Sequence, residues 1–344
     1  MNKLNKLYLG MSLAICSIVI SQNSFAASNV SNTGVKYKLR VSHTDRANSI
    51  KGKFFIRFKE LLEEKHPNIV VELNEYGKLA KKKQEIELLE LGVVDMIAPD
   101  IDDLYEKTRD EKLRLVTLPY LFEKNEDYYK FIKSPVRVNF VKAVTNPDKA
   151  YVPLSIIGEG YDLFASKNPI KEVSDFGDRD LVTSTTQTNQ TFYNQLKIKT
   201  TSYSDFEDVN YLNTVTKANL FEVNKQKVMN NEVYEYFPNM FITNHKYSTS
   251  IILINKNWLN RLPENIKNSI NDLLNENAKY NEDLLIRNEE IFNEKIMKPY
   301  SKSIVLLSVE DKAILKSLSR PMHEFYLDRV NRNLILDTYK VIQK

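Results

Sequence analysis

The apolar residues of this chain switch repeatedly between a period of two and a helical period over residues 35–97. That alternation limits the folds open to it more than any single motif does. Val35, Tyr37, Leu39 and Val41 alternate with Lys36, Lys38 and Arg40, as in a half-buried strand. A polar loop, His43 to Ser49, ends in good N-cap residues, and Phe54, Phe55, Phe58, Leu61 and Leu62 then recur at helical spacing. The stretch Ile69 to Leu73 predicts a second strand, Lys81 to Leu91 a second helix, and Val93 to Ile97 a buried third strand. A β-α-β-α-β order implies a parallel sheet flanked by helices.

Further along, Tyr151 to Ile157 and Phe164-Ala165 form an extended stretch interrupted by Gly158-Glu159-Gly160. A turn and strand are expected over Asp175 to Thr183, a short helix over Thr191 to Leu196, and a strand over Ser250 to Ile254. After Pro263 the set Ile266, Ile270, Leu273, Leu274, Leu284, Ile291 and Ile296 predicts one helix of ~30 residues. The chain has 344 residues, enough for two domains of ordinary size. No Pro/Gly/Ser-rich linker separates its halves, which points to lobes joined by crossing strands.

Composition removes several classes of function. Hydrophobic residues make up 42% of the chain, enough to bury a core. There are 8 glycines and none after Gly177; neither GxxxxGK[ST] nor GxGxxG occurs, so no phosphate-cradling loop is expected. With 4 histidines and 1 cysteine, no metal site or cofactor is expected. No GxSxG occurs and the hydroxyl run Thr183 to Thr186 has no histidine nearby, so the chain does not read as an enzyme.

Residues 1–26 read as a secretory signal peptide. Lys3 and Lys6 precede an apolar stretch from Leu7 to Ile20, and Ser24-Phe25-Ala26 supplies the small residues of a cleavage site near Ala26. Cys16 would leave with the signal, and Ile15 before it argues against lipidation. Loss of the two signal lysines would lower the net charge from +4 to +2, too even a balance for nucleic acid as main partner. No other apolar run approaches the ~18 residues of a membrane span.

Several segments, in order and at matching separations, resemble the DctP-type solute-binding proteins of TRAP (tripartite ATP-independent periplasmic) transporters. Leu39-Arg40-Val41-Ser42-His43 resembles the family's opening strand and loop. Tyr76-Gly77-Lys78-Leu79 through Gly92-Val93-Val94-Asp95-Met96 is similar to its "G-x-L … L-x-x-G-x-x-D" segment. Leu118-Pro119-Tyr120-Leu121-Phe122 looks like "L-P-[FY]-L-F", Val233-Tyr234-Glu235-Tyr236 like "F-Y-E-V", and Thr243-Asn244-His245 like "T-N-H". Trp258-Leu259, Leu262-Pro263-Glu264 and the long helix complete the match; Phe192 to Asp208 matches its segment poorly.

The resemblance implies a two-lobed α/β fold of the periplasmic-binding-protein type, each lobe a sheet flanked by helices, with hinge-crossing strands and a long C-terminal helix. Lobe I is expected over 27–155 plus about 235–252, and lobe II over 156–234 plus about 253–344. Such a protein is expected to be a periplasmic monomer that closes on a small solute and docks on membrane permease subunits.

The departures from the family bear on the solute. The family usually holds an organic acid through an arginine in "N-G-x-R", where this chain has Glu159-Gly160-Tyr161-Asp162. A second arginine, ending "G-L-K-I-R", aligns with Val182, while Arg179 lies an odd number of residues away and would face the other side of the strand. Glu222 keeps the glutamate of "D-G-Q-E-N-P", Val223 replaces the asparagine, and Asp100 aligns with a position that often holds an acid. An arginine fork holds a carboxylate with about 3 kcal/mol, whereas an aspartate repels it.

Asp100, Glu159, Asp162 and Glu222 are therefore candidates for pairing a cationic, amine-bearing or metal-bridged solute; the alternative is that they are loop carboxylates paired with lysines. Tyr161, Thr183, Gln187, Asn189 and Phe192 are candidates to line the pocket, or to fill the core. His43 and Thr44 occupy the first strand-to-helix loop, a usual ligand position in open α/β sheets. His245 reads better as a hinge residue than as a ligand contact, and Lys78, Lys81, Lys82 and Lys83 better as a solvated face than as an anion site. A second reading has the binding fold retained but its solute site lost, leaving a sensor, envelope or host-interaction protein.

Overall fold

In the computed structural model, residues 34, 36–79, 84–183, 189–202 and 218–343 are described. The signal segment 1–26, Lys81 to Lys83 and Gln187 lie outside them. The strands among the described residues are β1 (Tyr37–Ser42), β2 (Ile69–Asn74), β3 (Met96–Ile97), β4 (Tyr151–Ser166), β5 (Asp180–Thr183), β6 (Lys199–Ser202), β7 (Leu220–Asn224), β8 (Asn239–Ile242), β9 (Tyr247–Asn255) and β10 (Ile304–Leu306).

β1 buries Leu39 and Val41, as its alternation requires, and lies parallel to β2 and β3, with Tyr37 opposite Ile69 and Val41 opposite Met96. The helix Ile50–Lys65 begins where Ser49 Oγ accepts the Gly52 amide at 2.9 Å, and it buries Phe54, Phe55, Phe58 and Leu62. The sheet does not stay parallel. β9 joins β3 antiparallel and β4 joins β9 antiparallel, giving the order β2-β1-β3-β9-β4.

β4 is longer than its sequence suggests. The interruption expected at Gly158-Glu159-Gly160 is a register shift inside one 16-residue strand. Gly160 takes φ +98°, which a side chain would oppose, and the strand continues past the irregularity. Residues 151–161 pair with β9, and 162–166 pair with β7 on one side and β8 on the other. With β5 and β6 beyond β7, and β10 beyond β8, a second sheet forms. The two lobes thus share one through-going strand.

The helix Glu264–Phe292, 29 residues long, ties the lobes together. Ile270, Leu273 and Leu274 are buried in the first core and Phe292 in the second, whereas Ile291 of the expected set is exposed and Ile296 lies beyond the helix end. Its buried face also carries asparagines. Asn281 donates to the Gly158 carbonyl and accepts its amide, both at 2.9 Å, and Asn277 donates to the Phe54 carbonyl at 3.0 Å. The Asn281 bonds satisfy backbone groups where the strand ladder shifts register.

Candidate functional site

At the junction of the two sheets lies a narrow cavity with only ≈ 50 Å³ for water-sized occupants, lined by residues that include Asp100, Asp102, Asp162, Glu222, Lys227 and Lys246. Each acid arrives by a different route. Asp162 sits on β4 where it passes from one sheet to the other, Glu222 on β7, and Asp100 and Asp102 at the start of the helix Ile101–Thr108.

Lys246, 5% exposed, gathers three of them. Its Nζ is 3.1 Å from Asp102 Oδ2, 3.1 Å from Asp162 Oδ2 and 3.2 Å from Glu222 Oε2. Glu222 is the most heavily engaged, accepting Tyr193 Oη at 2.8 Å and Thr183 Oγ1 at 3.0 Å and facing His245 Nε2 at 2.7 Å. Burial pushes the Glu222 carboxyl up, but the Lys246 charge and the His245 and Tyr193 bonds outweigh it and hold the group well below the usual range. Asp162 goes the other way, raised by burial and by Glu222 beside it, against Lys246. Lys246 is held charged: burial opposes this, and Asp102, Glu222 and Asp162 overcome it.

A second buried lysine sits next door. Lys51, 2% exposed, lies 2.8 Å from Asp45, 3.2 Å from Asp100 and 3.4 Å from Glu159. Ser250 Oγ lies within hydrogen-bond distance of both Asp100 and Glu159, and Lys227 reaches Asp100 Oδ2 at 3.3 Å. Burial raises Asp45, but Lys51 and Lys227 bring it down to about 2; Glu159 is raised by burial. Behind them Glu85 accepts Ser42 Oγ at 2.7 Å and is pushed by burial up to about 7.

Of the residues expected from sequence, Asp100, Asp162 and Glu222 line the cavity. Glu159 adjoins it through Ser250, and Thr183 through Glu222. His43 is instead buried against Phe55, rings stacked at 5.6 Å, and burial lowers it to about 4. Thr44 is buried beside it in sequence, and neither residue borders the cavity. Tyr161 packs edge-on to Tyr247 at 4.8 Å and donates to the Phe122 carbonyl at 3.2 Å, a core position. Phe192 stacks on His245 at 5.9 Å, holding the ring that faces Glu222. Arg179 spends its guanidinium on the carbonyls of Asp175, Asn168 and Pro169, so it does not replace the family arginine. Glu87 pairs with Lys107 at 2.8 Å.

Sequence reasoning missed Asp102, Lys51, Lys227 and Lys246. The one available signal was Lys246 itself, a charged residue between His245 and the apolar strand Tyr247–Asn255.

Two sheets sharing a strand, a helix binding both, and an enclosed ionic cavity at the junction define a two-lobed binding protein of the periplasmic type. The model of the DctP family, bacterial extracellular solute-binding protein family 7, matches residues 41–329, and the chain belongs to that family. It is 21% identical over 301 residues to the C4-dicarboxylate-binding periplasmic protein DctP of Rhodobacter capsulatus, covering 86% of this chain and 88% of the relative. A TRAP periplasmic solute-binding protein of Desulfovibrio salexigens, solved with bound orotic acid, superposes with TM-score 0.80 at 15% identity over 90% of this chain and 99% of its own. One from Shewanella oneidensis, with bound succinate, gives TM-score 0.78 at 20% identity over 89% and 99%. Among the described residues no helix is long and apolar enough to cross a membrane.

Proposed function

We propose that this chain is the solute-capturing subunit of a TRAP-type secondary transporter. Exported after cleavage near Ala26, it takes a small solute between its lobes as a monomer and presents the closed form to membrane permease subunits. It performs no chemistry on the solute and has no role with nucleic acid. In this reading the lobes divide near residue 155 and again between 234 and 253.

The solute is not a simple organic acid, although relatives of this fold were solved with succinate and orotic acid bound. One observation carries this: the cavity presents Asp100, Asp102, Asp162 and Glu222 against only Lys227 and Lys246. A dicarboxylate entering it would meet an excess of its own charge in a poorly solvated space. Thermal melting over a panel of amines, sugars and dicarboxylates tests the reading. A solute present at about 100 times its dissociation constant adds about 2.7 kcal/mol. A shift with succinate and none with other solutes overturns the exclusion of organic acids.

A second reading, a binding fold that has lost its solute site, draws support from Lys246, whose ammonium already meets three carboxylates. Normal folding with no shift for any solute would favour it.

A further inference from the structure

A second concavity lies beside the junction cavity and shares no lining residue with it. It is a groove with ≈ 440 Å³ for water-sized occupants, against ≈ 50 Å³ in the junction cavity. Sites for small molecules occupy roughly 300–1,000 Å³, so the groove has the size of one. Three stretches wall it: the loop after β1 with the first turn of the helix Ile50–Lys65, the short helix Lys225–Asn230 that follows β7, and the end of the helix Glu264–Phe292 with the turn after it. The short helix turns Lys227 to the cavity and Gln226 and Asn230 to the groove.

Two amides form the buried part of this groove. Gln226 is 6% exposed and Asn288 9%, yet neither side chain has a hydrogen-bond partner among the described residues. Nor are their amide atoms among the sealed polar atoms that lack a partner, so both keep open surface on the groove they line. A largely desolvated amide without partners costs free energy that a bound group can recover. Each amide offers N–H donors and a carbonyl acceptor, and a hydroxyl, which both donates and accepts, satisfies both. An ammonium would leave the N–H groups unmet, and a carboxylate the carbonyl. Charge around the rim sets the ligand's sign. Arg46, Lys53 and Lys295 border the groove against one acid, Glu232, and none of the four makes an ion pair among the described residues. The Arg46 guanidinium is held over the Tyr76 ring, 5.1 Å from its centroid. Of the neighbouring acids, Asp45 is engaged with Lys51 and Glu289 with Lys225, each at 2.8 Å, while Glu235, Glu290 and Glu294 are exposed and do not border the groove. The positive excess attracts an anion.

From this we infer that the groove is a second binding site, for a polyhydroxylated anion whose hydroxyls meet the Gln226 and Asn288 amides and whose anionic group meets Arg46, Lys53 and Lys295. The site is separate from the junction cavity and does not rest on solute capture there. A carboxylate or a phosphate supplies the charge equally well; the groove reads negative charge and hydroxyls on one small molecule. Its walls come from the loop after β1, in the first sheet, and the helix after β7, in the second, so an occupant ties the two sheets together.

Calorimetry and thermal melting of the full processed chain, with gluconate, glucose 6-phosphate, sorbitol and succinate, test the site. At least one of the two polyhydroxylated anions is expected to bind and raise the melting temperature, and which one does so identifies the anionic group. Sorbitol, which lacks the charge, and succinate, which lacks the hydroxyls, should bind about tenfold or more weakly. Gln226→Leu should weaken the anion about tenfold while the empty protein still melts as before, since the amide bonds nothing there. Lys295→Gln, on the exposed rim, probes the same site should that variant fold poorly, and should weaken the anion about threefold or more. Absence of binding by both anions overturns the inference, as does equal binding of sorbitol or succinate. An anion whose affinity neither variant changes sits in the junction cavity instead: solute capture then stands and the groove falls.

Discussion

Lys51 and Lys246 each bring three carboxylates around one buried ammonium, with nearly equal distances, yet the two groups do different things. Around Lys51, Ser250 bridges Asp100 and Glu159, and Lys227 takes the other Asp100 oxygen. It joins the loop after β1, the first turn of the helix Ile50–Lys65 and the register shift of β4, and so works as a strut. Around Lys246 the acids come from β4, β7 and the helix Ile101–Thr108, on both sides of the junction, and all three border the cavity, whereas of the Lys51 group only Asp100 does. Charge composition alone does not separate the two.

The comparison can be broken first at Lys51. Lys51→Met removes the cation shared by three carboxylates, leaving Asp100 to Lys227, and should cost about 4 kcal/mol, read by urea unfolding. A loss under about 1 kcal/mol would mean the acids simply take up protons and the strut is not one.

A second effect lies behind the same group. Glu85 titrates near 4.5 when unfolded and at about 7 when folded, because burial disfavours its charge. The folded chain therefore holds an extra proton between those values, and stability falls as pH rises through that window by on the order of 3 kcal/mol. Glu85→Gln should flatten this slope between about pH 4.5 and 7 in denaturation measured across pH; an unchanged slope would place the proton elsewhere. Asp45 acts with the opposite sign, its contribution present above the unfolded value and lost as pH falls toward about 2.

The smallest effect is expected at Lys246. Lys246→Met should cost about 2 kcal/mol, less than at Lys51, because Tyr193, Thr183 and His245 still bond Glu222 and Ser248 still bonds Asp162. Equal losses at the two lysines in parallel urea titrations would make both groups struts and remove the contrast.

Much of the framework was legible. The alternation of Tyr37, Leu39 and Val41 located β1, and the spacing from Ile266 to Leu284 located the spine helix, since burial of one face leaves a period in the residues themselves. The same helix hides Asn277 and Asn281 on its buried side, and no hydrophobic pattern reveals them because their partners are backbone groups of distant elements. β4 failed differently: Gly158 and Gly160 read as a break, whereas the strand absorbs a register shift and goes on. In the cleft, alignment to family motifs found Asp100, Asp162 and Glu222 but not the lysines that neutralise them.

The sequence alone pointed to a two-lobed α/β binding protein, through its resemblance to a family, and to Asp162 as a candidate in its site. Periodicity and residue identity are local properties, and an ordered set of short motifs preserves them. Only the tertiary structure decided which lysine each acid meets. An ion pair such as Lys246 with Asp102 joins residues from separate lengths of chain, and whether a carboxylate oxygen has a donor depends on ångström distances that folding alone sets.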